Sequence, residues 1–264
     1  MKLTILGSGT SQGVPTIGCR CEVCRSSDAR DIRLRSSAMV EWEGLRIVID
    51  SGPDFRQQML RAGVRRVDAL LLTHEHKDHT GGLDDTRALN FVDYPIVHRL
   101  QLYGTAPTLN AMRRDYYYAF TDNKYQGVPE IDLHYLERGE TFRVRSEDGL
   151  HEVEVVAIDG FHAPQFGVTG YRFGDVAYLT DFKKIADTEV EKLRGLKVLV
   201  VNALRWKPHH SHFSVDEALE LVRKVSPEQT YFTHLSHDIG LYDEAMAKLP
   251  KGVALAYDGL EIEI

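Results

Sequence analysis

The sequence predicts an α/β protein in which two sheets, or one large sheet, are covered by helices. Short Val- and Ile-rich runs recur along the chain, helix-period patterns fall between them, and no repeat or low-complexity segment interrupts the alternation. No Pro/Gly/Ser-rich linker divides the chain either, so residues 1–264 read as one domain. With 43% apolar and 27% charged residues the balance is globular, which excludes a collagen-like or largely disordered chain.

Strand-like runs lie at residues 3–6, 38–42, 46–49, 69–72, 152–158, 176–180, 198–201 and 229–232. Several are nearly continuous rather than alternating, as strands buried on both faces are. Phe55, Met59 and Leu60 mark a helix before Gly63, and Val190 and Leu193 mark another ending at Gly195. Ser214 and Glu217 form the start of a third, continued by Ala218, Leu221 and Val222. Residues 239–249 read as a last helix stopped by Pro250. Segment 85–130 holds Tyr116, Tyr117 and Tyr118 beside Arg113 and Arg114, and reads either as a surface helix packed on the body or as a lid over a cleft.

The net charge of −7 argues against a protein whose main work is gripping phosphate backbones, so a nucleic-acid partner is not expected. No apolar run is long enough to span a bilayer, and the first residues lack the pattern of a signal peptide. A cytoplasmic location without membrane association is the expectation. The oligomeric state is not legible, and a homodimer is compatible with the sequence. The three cysteines, Cys19, Cys21 and Cys24, are too few and too close for a disulfide framework, and in a reducing compartment such clusters bind metal.

The strongest chemical signal is His74-Glu75-His76-Lys77-Asp78-His79, directly after the apolar run at 69–72. Three imidazoles and a carboxylate within six residues suit zinc or manganese. His74 and His76 can share one metal, with Asp78 and His79 serving a neighbour. Further ligands must come from elsewhere, and Asp50, His162, Asp181 and His234 each stand where an apolar run ends. His98, His134 and His151 lack such context and read as surface or hydrogen-bonded groups.

In this order, His74-x-His76-x-Asp78-His79, His162, Asp181 and His234, the chain resembles the metallo-β-lactamase superfamily of binuclear metallohydrolases. The resemblance implies an αββα sandwich of two mixed sheets flanked by helices, with two Zn2+ or Mn2+ at one edge. It implies that His74, His76 and His162 hold one metal, that Asp78, His79 and His234 hold the other, and that Asp181 bridges them. The opening Gly7-Ser8-Gly9-Thr10-Ser11-x-Gly13-x-Pro15 and the closing Tyr257-Asp258-Gly259-Leu260-Glu261-Ile262 are similar to the branch holding tRNase Z and the phosphodiesterase of the carbon–phosphorus lyase pathway, which opens phosphoribosyl cyclic phosphates. Cys19, Cys21 and Cys24 match a structural zinc element of that subfamily, with His237 as fourth ligand by similarity.

The activity implied is hydrolysis of a small, cyclic phosphodiester by a metal-bridging hydroxide, which Asp78 would orient. His212, just before the helix at Ser214, matches a residue of this branch that donates to substrate phosphate or protonates the leaving alkoxide. Asp50 is expected behind the ligands, accepting an N–H from one imidazole. Rival readings are a tRNA 3′-processing nuclease, a thioesterase or lactonase, and a non-catalytic metal-binding partner in cofactor biosynthesis.

Overall fold

The computed structural model describes residues 1–264. In chain order the strands are β1 (Lys2–Gly7), β2 (Ser37–Trp42), β3 (Leu45–Ile49), β4 (Ala69–Leu71), β5 (Leu100–Thr105), β6 (Ile131–Leu136), β7 (Thr141–Arg145), β8 (Glu152–Ala163), β9 (Phe166–Phe173), β10 (Val176–Leu179), β11 (Lys184–Ile185), β12 (Val198–Asn202), β13 (Gln229–Thr233), β14 (Val253–Leu255) and β15 (Glu261–Glu263). The α-helices are α1 (Phe55–Arg61), α2 (Lys77–Thr80), α3 (Arg87–Asn90), α4 (Ala106–Asp115), α5 (Tyr117–Phe120), α6 (Asp187–Glu191), α7 (Val215–Val225) and α8 (Tyr242–Met246).

Seven strands form one sheet in the order β15-β1-β2-β3-β4-β5-β6, and the second sheet runs β11-β8-β9-β10-β12-β13-β14 with β7 also paired to β8. Both sheets are mixed. β1, β2 and β3 pair antiparallel, whereas β3, β4, β5 and β6 pair parallel. The second sheet repeats the pattern, antiparallel from β8 to β10 and parallel from β10 to β14.

The continuous apolar runs are explained by burial on both faces. Ile47 and Ile49 of β3 and Ala69 and Leu71 of β4 enter a core shared with Tyr171, Tyr178 and Val200 of the other sheet. Val48 and Leu70, between them in sequence, point the other way and pack with Phe55, Met59, Leu109 and Met112 of α1 and α4. On the far side, Leu199 and Val201 of β12 and Phe232 of β13 pack with Val215, Ala218 and Leu221 of α7. Helices, sheet, sheet and helices therefore succeed one another, the αββα sandwich that the family resemblance implies.

The helix expected from Ser214 is α7, and its capping box is complete: Ser214 Oγ accepts from the Glu217 N–H, and the Glu217 carboxylate accepts from the Ser214 N–H. Ser214→Ala should lower stability by about 0.5–2 kcal/mol, read as a shift in the urea midpoint at constant slope.

The expected helix over 239–249 needs correction. His237–Ile239 is a 3-10 turn, Gly240 takes φ +95°, and α8 covers only Tyr242–Met246. A glycine in that conformation cannot continue a right-handed helix. The strands β5, β6, β7, β9, β11, β14 and β15 stand outside the runs expected from the sequence. In β9, Gly167 and Gly170 weaken the strand pattern, but a Cβ at Gly170 would stand 2.2 Å from Leu179 Cδ2, so any larger residue would have to displace that buried leucine.

Segment 85–130 fastens to the body. Tyr116 Oη donates to the Thr80 carbonyl at 2.7 Å, Tyr118 Oη donates to Asp84 at 2.6 Å, and Lys77 pairs with Asp115. His98 pairs with Asp93 and Glu147, and His134 stacks on Tyr103 and bonds Gln101, both as surface or hydrogen-bonded groups. No helix is long and apolar enough to cross a membrane.

Candidate metal centre

The candidate ligands converge where strands end. Asp50 follows β3, the His74–His79 loop follows β4, His162 lies near the end of β8, Asp181 follows β10 and His234 follows β13. Five non-glycine residues have positive φ, and Asp50, Asp181 and His234 are three of them. Such a backbone costs energy and persists where the surroundings over-determine it, which concentrates it at functional sites.

The loops around the cluster are locked to one another. The Ser51 N–H donates to the His79 carbonyl at 2.8 Å, and a Cβ on Gly52 would lie 2.0 Å from the Asp78 carbonyl oxygen. From the chain's opening, the Thr10 N–H donates to the Leu235 carbonyl, and Thr10 Oγ1 stands 3.2 Å from His234 Nε2. Asp258 holds that opening in turn, accepting from Ser8 N–H and Oγ–H and from Leu34 N–H, each at 2.8 Å. The similar opening and closing sequences thus meet as one support for His234.

Asp181 is central and almost wholly buried. Its Oδ2 lies 3.2 Å from His79 Nε2 and 3.1 Å from His234 Nδ1, and its Oδ1 lies 3.4 Å from His212 Nδ1. Ligand atoms within 4.8 Å of one another group as His74, His76 and His162; as His74, His79 and Asp181; as Asp78, Asp181 and His234; and as His162, Asp181 and His212. The structure brings together every residue that the sequence nominated for the two-metal site, and it adds His212 to the ligand-competent atoms.

The partners behind the ligands are defined. His79 Nδ1–H donates to Asp50 at 2.6 Å, and Asp50 also accepts from Thr73 N–H and Oγ1–H at 2.9 Å, so Asp50 stands where it was expected. His162 Nδ1–H donates to the Ser211 carbonyl at 2.8 Å, which leaves Nε2 as the inward lone pair. Ser36 Oγ is 3.0 Å from His234 Nδ1. Phe166 stacks on His76, with ring centroids 4.5 Å apart. Thr73, Ser36, Ser211 and Phe166 escape sequence reasoning because they act through contacts across the fold and carry no metal-ligand signature.

The electrostatics follow from burial and this geometry. Burial pulls His79 down, but Asp181, Asp78 and Asp50 outweigh it and hold the imidazole well above its ordinary range. Burial likewise pushes Asp181 up, and His234 and His79 more than reverse it, leaving the carboxyl well below the usual carboxylate range. His74 is driven well down by burial and by His79. Burial also drives His212 down to about 2, against the pull of Asp181.

The donor set fits divalent cations. His79 Nε2 and His212 Nδ1 are buried without a hydrogen-bond partner. His74 Nε2 and His76 Nδ1 face each other at 3.1 Å. Inward ring nitrogens crowded around a shared carboxylate, able to give up any proton to a cation, are what imidazole–carboxylate sites offer to zinc or manganese.

A second cluster joins the ends of the chain. His237 Nδ1 lies 3.2 Å from Cys19 Sγ and 3.4 Å from Cys21 and Cys24 Sγ, and all three cysteines are free. Bonds of about 2.3 Å to sulfur and 2.0–2.1 Å to nitrogen give a tetrahedron with sulfur–nitrogen edges of about 3.5 Å, so the four atoms, all within 4.8 Å of one another, fit one zinc.

Residues 45–235 match the family model of the beta-lactamase superfamily domain. The chain belongs to the beta-lactamase superfamily. It has the metallo-β-lactamase fold, with the expected ligand motif and the expected sandwich occurring together. A solved structure described as a new diphosphatase from the PhnP family is 41% identical, with a TM-score of 0.89 covering 100% of this chain and 97% of its own. A Porphyromonas gingivalis protein named octanoyltransferase is 39% identical over 99% of this chain but 51% of its own length, so the chain spans about half of that curated relative. The ribonuclease Z of Methanopyrus kandleri is 25% identical across 88% of this chain and 92% of its own.

Proposed function

We propose that the chain is a binuclear metal-dependent phosphodiesterase acting on a small, cyclic phosphodiester. Asp181 carries the reading: one buried carboxylate reaches His79, His234 and His212 within 3.1–3.4 Å. In this reading His74, His76 and His162 hold one cation, Asp78, His79 and His234 hold the other, and Asp181 is shared. A pair of divalent cations supplies Lewis-acid charge at the phosphoryl group and a nucleophile at neutral pH. Asp50 fixes the tautomer of His79 and increases its basicity, and the Ser211 carbonyl does the same for His162. Asp78 orients the attacking water.

His212 faces the same cluster. Burial holds its ring neutral, and negative charge building on phosphoryl oxygens beside it favours the protonated form. Taking up the proton that the attacking water releases, it is placed to donate to those oxygens and to pass that proton to the departing one. Cys19, Cys21, Cys24 and His237 hold a separate structural zinc. Cys21→Ser should lower bound zinc by one per chain and reduce the melting temperature, measured by metal analysis and calorimetry, because that site ties the N-terminal loop to the one after β13.

The decisive assay is hydrolysis of bis(p-nitrophenyl) phosphate by metal-loaded protein. Turnover is expected there, while thioesters, lactones and precursor tRNA stay uncleaved. Cleavage confined to any of those three would replace this reading.

A further inference from the structure

A pocket of about 190 Å³ opens beside the candidate centre, between the start of α4 and the β8–β9 turn. Phe166 is the shared wall: it lines the pocket, stacks on His76, and lies 5.8 Å between centroids from His162. His162 in turn is 4.5 Å from His212, so it neighbours both rings, while Phe166 and His212 make no ring contact with each other. The volume is below the roughly 300–1,000 Å³ typical of sites enclosing drug-sized ligands, so the pocket takes one compact group.

Its charges are unequal. Arg138 and Asp159 pair at 2.6 Å and offset each other. Glu75 also lines the pocket, lies between two ligand histidines, makes no side-chain hydrogen bond or ion pair, and belongs to none of the ligand groups around Asp181. The rest of the lining is uncharged, with Thr105, Gln165 and Thr169 supplying polar atoms. One uncompensated carboxylate accepts hydrogen bonds and repels anions.

We propose that this pocket receives the phosphodiester substituent turned away from His212, and that Glu75 selects one bearing hydroxyl donors and no second negative charge. The inference rests on the phosphodiesterase reading and extends it to open-chain diesters, whose two substituents are separate groups. A polyol ester fits the chemistry, its hydroxyls donating to Glu75 while the group remains bonded to phosphorus. Water adds to phosphorus, the bond to the other ester oxygen breaks, and that oxygen departs with the proton.

The test keeps one leaving group and varies the retained one. The kcat/KM of metal-loaded protein is compared on p-nitrophenyl glyceryl phosphate, p-nitrophenyl methyl phosphate and p-nitrophenyl 3-phosphoglyceryl phosphate. The wild-type protein should prefer glyceryl over methyl by about tenfold or more, and Glu75→Ala should remove that preference with both metals retained. Glu75→Gln should improve the phosphorylated ester relative to the glyceryl ester by about tenfold. Unchanged ratios in both variants would overturn the role of Glu75 while leaving the phosphodiesterase reading intact. If Glu75→Ala loses metal, the ratio measured for the isosteric Glu75→Gln decides whether Glu75 selects the substituent. No turnover of any ester by wild-type protein would overturn both.

Discussion

Asp181→Ala should release the metals of the candidate centre and abolish phosphodiester hydrolysis in one step. The carboxylate is the common neighbour of His79, His234 and His212, and it is almost wholly buried. Removing it takes away a ligand and also the negative charge that compensates the surrounding imidazoles. Loss of an outer partner of a ligand histidine typically costs about 10–100-fold in metal affinity or activity, and loss of a shared ligand should exceed that. Metal content per chain and turnover of bis(p-nitrophenyl) phosphate are the two readouts. The Cys3His zinc should remain bound, which separates a local loss from unfolding. Asp181→Asn, which keeps shape and removes charge, should behave in the same direction. An alanine variant that retained both active-site metals would remove Asp181 from the centre of the site.

The parts of this site that were legible are those whose chemistry is local. His74 to His79 announce a metal loop because ligand-competent side chains recur at every second residue or closer after an apolar strand. Asp50, His162, Asp181 and His234 are readable as the polar residues at or near the ends of buried runs. The capping box at Ser214 is equally local, and the structure reproduces it. What escaped was set across the fold. Thr10 and His234 meet over 224 residues of chain, and nothing in either neighbourhood encodes the pairing. Phe166 reads as one more apolar residue until β8 and β9 turn it onto His76. β9 itself is obscured because Gly170, packed close against Leu179, stands where a strand pattern would show a branched residue. Residues 239–249 fail for the opposite reason: their helical periodicity is real, but Gly240 at φ +95° breaks the backbone first. The family resemblance supplied what spacing alone left open, the pairing of two sheets into a sandwich and the division of ligands between two metals.

His212→Ala should keep both active-site metals and lose about 10²–10⁴-fold in kcat, the range contributed by a positioned proton donor. The geometry allows a competing assignment, because His212 Nδ1 is grouped with His162 and Asp181 at ligand distances. The two assignments differ in a measurable way. A proton donor touches the substrate and leaves the metal count unchanged, whereas a ligand takes metal with it when removed. His212 lies between β12 and α7, outside the loops that carry the other candidate ligands, and its closest carboxylate contact is 3.4 Å, longer than the 3.0–3.2 Å contacts of His79 and His234. Those differences favour the donor. They also predict that the defect depends on the leaving group. With p-nitrophenolate, which departs readily without a proton, the variant should lose less than with an alkoxide leaving group, which needs one. Equal losses on aryl and alkyl diesters would mean that His212 stabilises charge on the phosphoryl oxygens alone, and loss of metal would make it a ligand.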